Sequence, residues 1–362
     1  MGQMILEGRE MADRVQSWLH EHGVHDILLV HGRSATELPC FSFFQHLPSA
    51  GIYVHSFSDF QPNPLLASAE KGAVVFADEG CDMIVALGGG SAMDVAKVVK
   101  LLVLRKGAGD VPFLAIPTTA GTGSEATHFA VVYKDGVKQS VQDDCLLPDL
   151  AWFLPEVLAS LPIYQRKATA LDAFCHAFES FWSIHSNAQS QEYSRRALDG
   201  IQKIADGYVH GNAAAGCEMM RLAHLAGMAI DITQTTAGHA MCYELTHLAG
   251  IAHGHAAALC VDALGAFLYR GETLWECIDS RGKEYLQGVL FELQPSWQWL
   301  HNRMDDWQLR EIYVKGPRKE TVSCLLDAIH PMRLRNFPIH LRLKDYASLF
   351  YQILETGAAY ES

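Results

Sequence analysis

Short apolar runs alternate with amphipathic stretches in the first part of the chain. The apolar runs are 27–30 (ILLV), 51–54 (GIYV), 83–87 (MIVAL) and 113–116 (FLAI). Between them, segments 67–79 and 92–103 carry apolar residues at helical spacing. Strands and helices that alternate in this way are typical of a parallel sheet with helices on both faces. The pattern therefore predicts an α/β domain with a Rossmann-like sheet.

The pattern changes after Pro155. Long helical segments follow at 167–182, 191–207 and 217–237. Gly, Pro and Asn stand mostly at the ends of these segments, as expected for helices, and no alternating β-branched run interrupts them. We therefore expect a boundary near 155, with an α/β domain over 1–155 and an all-α domain over 156–362.

Charge and cysteine content narrow the function classes. The 362 residues include 28 Lys and Arg against 41 Asp and Glu, a formal net charge of −13. An acidic chain repels phosphate backbones and anionic lipid, so neither a nucleic-acid nor a membrane partner is expected. The nine cysteines form no CxxC pair and are predicted to be reduced thiols. No apolar run reaches the roughly 20 residues of a membrane span, and the expected location is the cytoplasm.

Two glycine-rich loops follow predicted strands. Segment 85–97 (VALGGGSAMDVAK) is an apolar strand, three glycines and the start of a helix. The glycines let the backbone approach a ligand, and amides at a helix N-terminus attract a pyrophosphate. Segment 115–125 (AIPTTAGTGSE) breaks at Pro117 into hydroxyl side chains and glycines suited to ribose and phosphate. Either loop alone can be an ordinary turn, but two at neighbouring strand ends predict a nucleotide site.

The turn after the predicted strand 27–30 bears on which nucleotide binds. In dinucleotide folds an acidic residue in this turn holds the ribose hydroxyls and repels a 2′-phosphate. This chain has Gly32, Arg33 and Ser34 instead. The turn therefore favours NADP(H) over NAD(H), and the alternative is that Arg33 is only a solvated turn residue.

Histidines and one aspartate indicate a metal site in the second domain. Asp172 and His176 are four residues apart and share one face of a predicted helix. Further along are four histidines among mostly apolar neighbours, His239, His247, His253 and His255. Imidazoles in such surroundings are satisfied when they coordinate a divalent metal. One carboxylate with two or three imidazoles suits catalytic Fe(II) or Zn(II), and the pattern leaves open which of the four histidines are ligands.

The chain resembles the iron-containing alcohol dehydrogenase family over almost its whole length. The shared motifs are GGGSxxDxAK at 88–97, PTTAGTGSE at 117–125, DAxxHAxE at 172–179 and two later histidines fourteen positions apart. The resemblance implies a dinucleotide-binding first domain and a metal-binding helical domain, an architecture shared with dehydroquinate synthase. It assigns the metal ligands to Asp172, His176, His239 and His253, with Fe(II) as the expected ion and Zn(II) as the alternative.

The resemblance also assigns cofactor contacts and an assembly state. The contacts fall on Asn63, Gly89, Gly90, Ser91, Thr118, Thr119, Ser124 and Lys138. Family members with a Gly-x-Ser turn after the second strand tend to use NADP(H), which matches Gly32 and Ser34. Because the family commonly forms dimers or larger assemblies, a homodimer or larger homo-oligomer is expected.

Several segments resemble a narrower branch, the phosphonoacetaldehyde reductases. They are 161–183, 235–260 and 330–341 (HPMRLRNFPIHL). Many family members carry a second histidine four residues after the third ligand, linked to a proton relay, where this chain has Tyr243. Where the branch tends to carry Lys, this chain has Glu244. Either Arg166, Lys167 or a histidine binds an anionic substrate group in its place, or the substrate is not anionic.

The implied activity is the reduction of an aldehyde to a primary alcohol with a hydride from NAD(P)H. Phosphonoacetaldehyde is the candidate substrate, with 2-hydroxyethylphosphonate as product. A proton must reach the carbonyl oxygen, and Tyr243 and His255 are the candidate donors. Two other classes stay open. A dehydroquinate synthase-like lyase would release phosphate and regenerate NAD within one turnover, and a non-catalytic nucleotide or metal binder would retain the same ligands.

Overall fold

Contacts within the chain divide it into two compact units. The computed structural model describes residues 2–135, 137–270 and 275–355. The first unit is Met1–Leu161 with Gly211–His224, and the second is Pro162–His210 with Leu225–Ser362. Compactness does not test where an independently folding domain ends, so the domain boundary expected at residue 155 stays a prediction.

The first unit is built on a parallel sheet of six strands. In spatial order these are β1 (Met4–Glu7), β8 (Leu150–Phe153), β5 (Phe113–Pro117), β4 (Met83–Gly88), β2 (Asp26–His31) and β3 (Tyr53–Phe57). A separate antiparallel hairpin pairs β6 (Phe129–Lys134) with β7 (Val137–Gln142). The α/β class predicted for this part of the chain is confirmed.

Helices cover the sheet of the first unit. They are α1 (Ala12–Glu21), α2 (Phe41–His46), α3 (Leu66–Asp78) and α4 (Gly90–Arg105). Residues of α3 and α4 share one apolar core with strand residues of β2, β4 and β5 and with the hairpin. Helix α4 is buried over most of its circumference, and two of its buried residues are lysines, Lys97 and Lys100.

The strand order places a topological switch point in the sheet. Residues 83–87 of β4 and 113–116 of β5 have no exposed surface, as expected for parallel strands covered on both faces. Strand β2 lies between β3 and β4, so the direction in which strands are added reverses at β2. Open α/β sheets bind ligands outside the carboxyl ends of strands at such a switch point. Here the two strand ends carry Gly32 and Gly88.

The described part of the second unit is helical, as predicted, apart from one pair of two-residue strands. Its helices are α5 (Ile163–Trp182), α6 (Ala188–Val209), α7 (Ala213–Thr233, which begins in the first unit), α8 (Ala237–Ala249), α9 (His253–Arg270), α10 (Lys283–Asp306), α11 (Arg318–Asp327), α12 (Pro331–Leu334) and α13 (Leu343–Glu355). The strands β9 (Glu276–Cys277) and β10 (Ile339–His340) pair antiparallel. Within the described ranges, no helix has the length and apolar character needed to cross a lipid bilayer.

The helix predicted over 217–237 ends earlier than expected. Helix α7 stops at Thr233, and Gln234 adopts a left-handed backbone with φ of 57°. The hydroxyl of Thr236 donates to Oε1 of Glu179 at 2.6 Å instead of supporting another helical turn. The predicted end at residue 237 is therefore wrong by about one turn, and the break fixes where α8 begins.

Candidate metal centre and dinucleotide cradle

Asp172 and His176 lie one turn apart on α5, with both side chains on the same face. Both residues belong to the long buried stretch of this helix. Oδ1 of Asp172 lies 3.8 Å from Nε2 of His176. The spacing of four residues thus brings the carboxylate and the imidazole together, as helical geometry requires.

His239 and His253 reach the same carboxylate from two other helices. His239 lies in the first turn of α8, and His253 is the first residue of α9. Their Nε2 atoms are 3.7 Å and 4.0 Å from Oδ1 of Asp172. Helix α9 approaches α5 this closely because residue 254 is Gly254. A Cβ there would collide with the carbonyl of Ala168 and would lie 2.6 Å from Cβ of Asp172.

Two polar atoms of this cluster fit a bound cation. Oδ1 of Asp172 and Nε2 of His239 are buried and have no hydrogen-bond partner in the described part of the chain. Leaving such atoms unpaired costs about 1–3 kcal/mol each. Ligand atoms of Asp172, His176 and His239 all lie within 4.8 Å of one another. A donor set of one carboxylate and three imidazoles suits a divalent metal such as Fe(II) or Zn(II).

Glu179 holds His239 in place, a role that its position in the DAxxHAxE motif did not reveal. Oε2 of Glu179 accepts a hydrogen bond from Nδ1 of His239. Oε1 accepts from the hydroxyl of Thr236 at 2.6 Å and from the amide of Gly238 at 2.8 Å. A carboxylate on Nδ1 fixes the tautomer that leaves Nε2 as the ligand. The spacing in the sequence could have indicated this role of Glu179, because Glu179 follows Asp172 by seven residues and so shares its helix face.

Charges in the centre stabilise one another. Burial alone would raise the pKa of Asp172, but the imidazoles of His176, His239 and His253 outweigh burial and hold this pKa below its usual range. Burial would likewise lower the pKa of His239, yet the carboxylates of Glu179 and Asp172 together outweigh burial and raise it to about 10. A metal that binds Nε2 of His239 therefore has to displace a proton.

His253 is the most exposed of the four predicted metal ligands. Its side chain is 39% exposed, whereas those of Asp172 and His239 are 5% and 2% exposed. The ring of Tyr243 lies parallel to that of His253 at 5.7 Å, and Sγ of Cys242 is 3.7 Å from Nδ1 of His253. Tyr243 thus lies beside His253, the exposed member of the cluster, and its role as proton donor stays a prediction.

His255, the other predicted proton donor, is bonded within the protein through both ring nitrogens. Nε2 donates to the carbonyl of Leu309 at 2.6 Å, and Nδ1 accepts from the hydroxyl of Tyr164 at 3.1 Å. Tyr164 in turn accepts from the amide of Ala252 at 2.9 Å. Burial lowers the pKa of His255, and the bond to Leu309 opposes this shift. These contacts support the start of α9, and a role in proton transfer stays a prediction.

In the first unit, the glycine loop (residues 88–91) touches the threonine loop (residues 117–125). A Cβ at Gly89 would lie 3.2 Å from Oγ1 of Thr119, and a Cβ at Gly90 would lie 3.1 Å from Cγ2 of Thr122. Glycine at both positions lets the loops pack this closely. Gly89 caps α4 without a side chain, which leaves amides of the first helical turn available to an anion.

The other predicted cofactor residues lie on several elements of the first unit. Ser91 is in the first turn of α4, Gly32 and Ser34 are in the turn after β2, Asn63 is in the loop before α3, and Lys138 is on β7. The amide of Thr118 donates to the carbonyl of Gly88 at 3.0 Å. Oγ of Ser124 is buried and, among the residues described, has no hydrogen-bond partner. The structure thus joins the two loops, and the cofactor contacts themselves stay predictions.

Comparison with known proteins gives one family for both halves of the chain. The family model for iron-containing alcohol dehydrogenase matches residues 2–155. The model for the C-terminal part of the Fe-containing alcohol dehydrogenase family matches residues 167–274. The chain is 36% identical over 239 residues to the phosphonoacetaldehyde reductase of Streptomyces viridochromogenes, a match to 58% of this chain and 58% of that relative. The match thus spans less than two thirds of that relative's length.

Two solved structures share the fold. An iron-containing alcohol dehydrogenase of Thermotoga maritima has a TM-score of 0.85 at 24% identity, over 98% of each chain. A sulfoacetaldehyde reductase of Bifidobacterium kashiwanohense, in complex with NAD+, has a TM-score of 0.79 at 25% identity, over 97% of this chain and 96% of its own. A parallel-sheet unit with two glycine-rich loops and a helical unit with a cluster of one carboxylate and three imidazoles define the class. The chain belongs to the iron-containing alcohol dehydrogenase family.

Proposed function

We propose that this chain is a metal-dependent oxidoreductase that uses NAD(P)H to reduce an aldehyde to a primary alcohol. The observation that carries the proposal is the buried oxygen of Asp172, which the imidazoles of His176, His239 and His253 surround at 3.7–4.0 Å. Two contacting loops at the carboxyl ends of parallel strands support a dinucleotide in the first unit. The activity named for the Streptomyces relative is of the same kind.

Fe(II) is the proposed metal, and Zn(II) is the alternative that the same donors accept. A divalent metal held by Asp172, His176, His239 and His253 supplies Lewis-acid polarisation of a carbonyl oxygen. Glu179 keeps the proton of His239 on Nδ1, so that Nε2 faces the centre. In this proposal the aldehyde approaches from the side of His253, because that ligand is the exposed one.

NADP(H) is proposed over NAD(H). The bound nicotinamide supplies the hydride, and the protein supplies its position. The turn after β2 offers Gly32, Arg33 and Ser34 and no carboxylate. A Cβ on Gly32 would meet nothing within 4 Å, which leaves room for a 2′-phosphate beside the exposed Arg33. The hydroxyls of the threonine loop and the amides at the start of α4 are the proposed contacts of the pyrophosphate and the adjoining ribose.

Tyr243 is the proposed proton donor. Its ring lies parallel to that of His253, beside the accessible side of the centre. Transfer of the phenolic proton to the former carbonyl oxygen completes the alcohol. His255 serves in this proposal as a positioning residue, since its ring nitrogens bond to Leu309 and Tyr164.

Phosphonoacetaldehyde is the proposed substrate and 2-hydroxyethylphosphonate the product. Similarity to a phosphonoacetaldehyde reductase and to a sulfoacetaldehyde reductase supports a short aldehyde with an anionic group. Two of the cations considered for that anionic group donate hydrogen bonds within the protein. Arg166 donates to the carbonyl of Val209 at 3.3 Å, and Lys167 donates to the carbonyl of Trp307 at 3.0 Å. His330 meets the ring of Tyr243 edge-on at 5.9 Å and is the histidine proposed to face the anion.

The test is an anaerobic assay of the purified chain, loaded with Fe(II) or with Zn(II). Oxidation of NADPH and of NADH is followed with phosphonoacetaldehyde and with propanal, a neutral aldehyde of similar length. A charged hydrogen bond contributes about 1.5–3 kcal/mol, so kcat/KM should favour phosphonoacetaldehyde by at least about tenfold. NADPH should be the better reductant.

The other outcomes separate the competing functions. Equal rates with propanal would keep the reductase and reject the phosphonate substrate. If nicotinamide is oxidised with neither aldehyde, a dehydroquinate synthase-like lyase or a binder remains. The lyase would release phosphate from a phosphate-ester substrate without net oxidation of nicotinamide, whereas a binder would bind metal and NADPH without any turnover. Size-exclusion chromatography of the same preparation tests the proposed homodimer or larger homo-oligomer, and cell fractionation tests the proposed cytoplasmic location.

A further inference from the structure

Lys97 is a fully buried lysine at the end of the GGGSxxDxAK motif. It lies two turns into α4, and its exposed fraction is 0%. Lysines are almost never fully buried unless their charge is paired. The chemistry proposed above gives Lys97 no part, so its place in the interior needs another physical reason.

The ammonium of Lys97 donates to oxygens at the end of the threonine loop and just beyond it. The acceptors are the carbonyl of Ser124 at 2.6 Å, the carbonyl and hydroxyl of Thr127 at 2.7 Å and 2.8 Å, and the carbonyl of Phe129 at 2.9 Å. The hydroxyl of Thr127 also donates to the carbonyl of Ser124 at 3.1 Å. Four oxygens around three N–H groups satisfy the ammonium completely.

The same helix and the same loop form the proposed nucleotide cradle. Helix α4 begins at Gly90, inside the glycine loop. The threonine loop is bonded to the glycine loop at its start, through the amide of Thr118 and the carbonyl of Gly88. Its end is bonded to Lys97 through Ser124, whose buried hydroxyl lacks a hydrogen-bond partner within the described ranges. Lys97 therefore fixes the end of the threonine loop, where the hydroxyl of Ser124 is still available to a ligand.

Asp94, one turn before Lys97, does not fully neutralise the lysine. Burial raises the pKa of Asp94 to about 7, although the charge of Lys97 opposes this shift. Because burial disfavours the charged form of Asp94, the carbonyl oxygens stabilise part of the ammonium charge. Hydrogen bonds from a charged donor are about twice as strong as neutral ones, so the loop is held firmly.

We infer that Lys97 is a positioning residue for the dinucleotide, because it keeps the threonine loop in the conformation that receives the pyrophosphate and the adjoining ribose. The inference rests on the proposed function, since it needs a dinucleotide in the cradle. Lys97 acts through Ser124, Thr127 and Phe129 and has no direct contact with the ligand. Because the pyrophosphate is common to both nucleotides, affinity for NADPH and affinity for NADH depend on Lys97 to the same degree.

Lys100 offers a matched control one turn further along α4. It is also buried, with 5% exposure. Its Nζ lies 3.5 Å from Oδ2 of Asp149 and 5.7 Å from the ring centre of Phe113. These contacts join α4 to β5 and to the residue before β8. Replacing either lysine by Met removes a buried ammonium from the same helix, so the two variants differ in the contact with the threonine loop.

The experiment compares the wild-type chain, Lys97→Met and Lys100→Met, each loaded with metal. Quenching of intrinsic fluorescence gives Kd for NADPH and NADH, and steady-state assays give KM and kcat. Lys97→Met should raise both Kd values and the nucleotide KM by about tenfold or more, because charge-assisted bonds are lost. Its kcat should change by less than about threefold, and Lys100→Met should leave Kd within about twofold. Tm is measured for each variant, and a purely structural role would lower Tm without raising Kd.

Thr127→Val is a second variant that removes one acceptor and keeps the lysine. It should raise both Kd values by roughly two- to fivefold. If Lys97→Met does not fold, this variant tests the role of Lys97 in its place. A wild-type Kd in a folded Lys97→Met, or in Thr127→Val when Lys97→Met is unfolded, would overturn the inference. So would an equal rise of Kd in Lys100→Met. Failure of the wild-type chain to bind either nucleotide would instead contradict the proposed function on which the inference rests.

Discussion

Nδ1 of His239 donates a hydrogen bond to the buried carboxylate of Glu179, and the same carboxylate accepts from the amide of Gly238 and the hydroxyl of Thr236. The side chain of Glu179 on α5 thus binds both the backbone and an imidazole at the start of α8. The break between α7 and α8 therefore shapes the candidate metal centre, because it sets where α8 begins and how the ring of His239 is turned.

Glu179→Gln should weaken metal binding by roughly 10- to 100-fold, the usual effect of losing a carboxylate behind a histidine ligand. Glutamine has one acceptor oxygen, whereas Glu179 uses both of its oxygens. The measurement is Kd for Zn(II) by competition with a chromophoric chelator. Glu125→Gln is the control, since Glu125 is another buried glutamate with a histidine, His224, at 3.4 Å. Equal weakening in both variants would mean that Glu179 has no specific role at the metal centre.

His253→Ala should abolish aldehyde reduction and leave NADPH binding within about twofold. His253 belongs to the second unit, whereas the glycine and threonine loops belong to the first. The proposed pyrophosphate and ribose contacts do not include His253, so the Ala substitution should leave them intact. Turnover and NADPH fluorescence measured on one preparation check the prediction. Loss of both properties together would contradict the division of metal and nucleotide between the two units.

The fold class and the pairing of Asp172 with His176 could be predicted because both depend on short-range patterns. Fully buried parallel strands appear as continuous apolar runs, and those at 83–87 and 113–116 became β4 and β5. A spacing of four residues on a helix puts two side chains on one face. The grouping of His239 and His253 with this pair was implied by the family resemblance, because the residue pattern alone left four histidines open.

Features that depend on distant partners could not be predicted. Strand β1 has four residues at the sheet edge and pairs with β8, near residue 150, so nothing local in its sequence marks it as a strand. The bond from His255 to the carbonyl of Leu309 at 2.6 Å joins residues far apart in the chain, so the spacing of the histidines does not reveal it. The early end of α7 depends on Glu179, which lies in another helix.

Gly254→Ala should destabilise the chain by about 1–3 kcal/mol and weaken metal binding. The added methyl group would collide with the carbonyl of Ala168 and would lie 2.6 Å from Cβ of Asp172, so α9 must move away from α5. Urea unfolding and Zn(II) titration measure the two effects. Gly288→Ala is the control, because that helical glycine has open space around it and should gain roughly 0.5–1 kcal/mol. Wild-type metal affinity in Gly254→Ala would show that the close approach of the two helices is not needed.

Gly32→Asp should shift the preference from NADPH toward NADH. Gly32 has φ −68° and ψ 156°, which any residue adopts, and a Cβ there meets nothing within 4 Å, so aspartate fits without strain. Its carboxylate would repel the 2′-phosphate and accept hydrogen bonds from the ribose hydroxyls. The ratio of kcat/KM for NADPH to that for NADH should fall by at least about tenfold, and the uncharged Gly32→Asn should change it less. An unchanged ratio in Gly32→Asp would mean that the adenosine end of the nucleotide does not bind at the turn after β2.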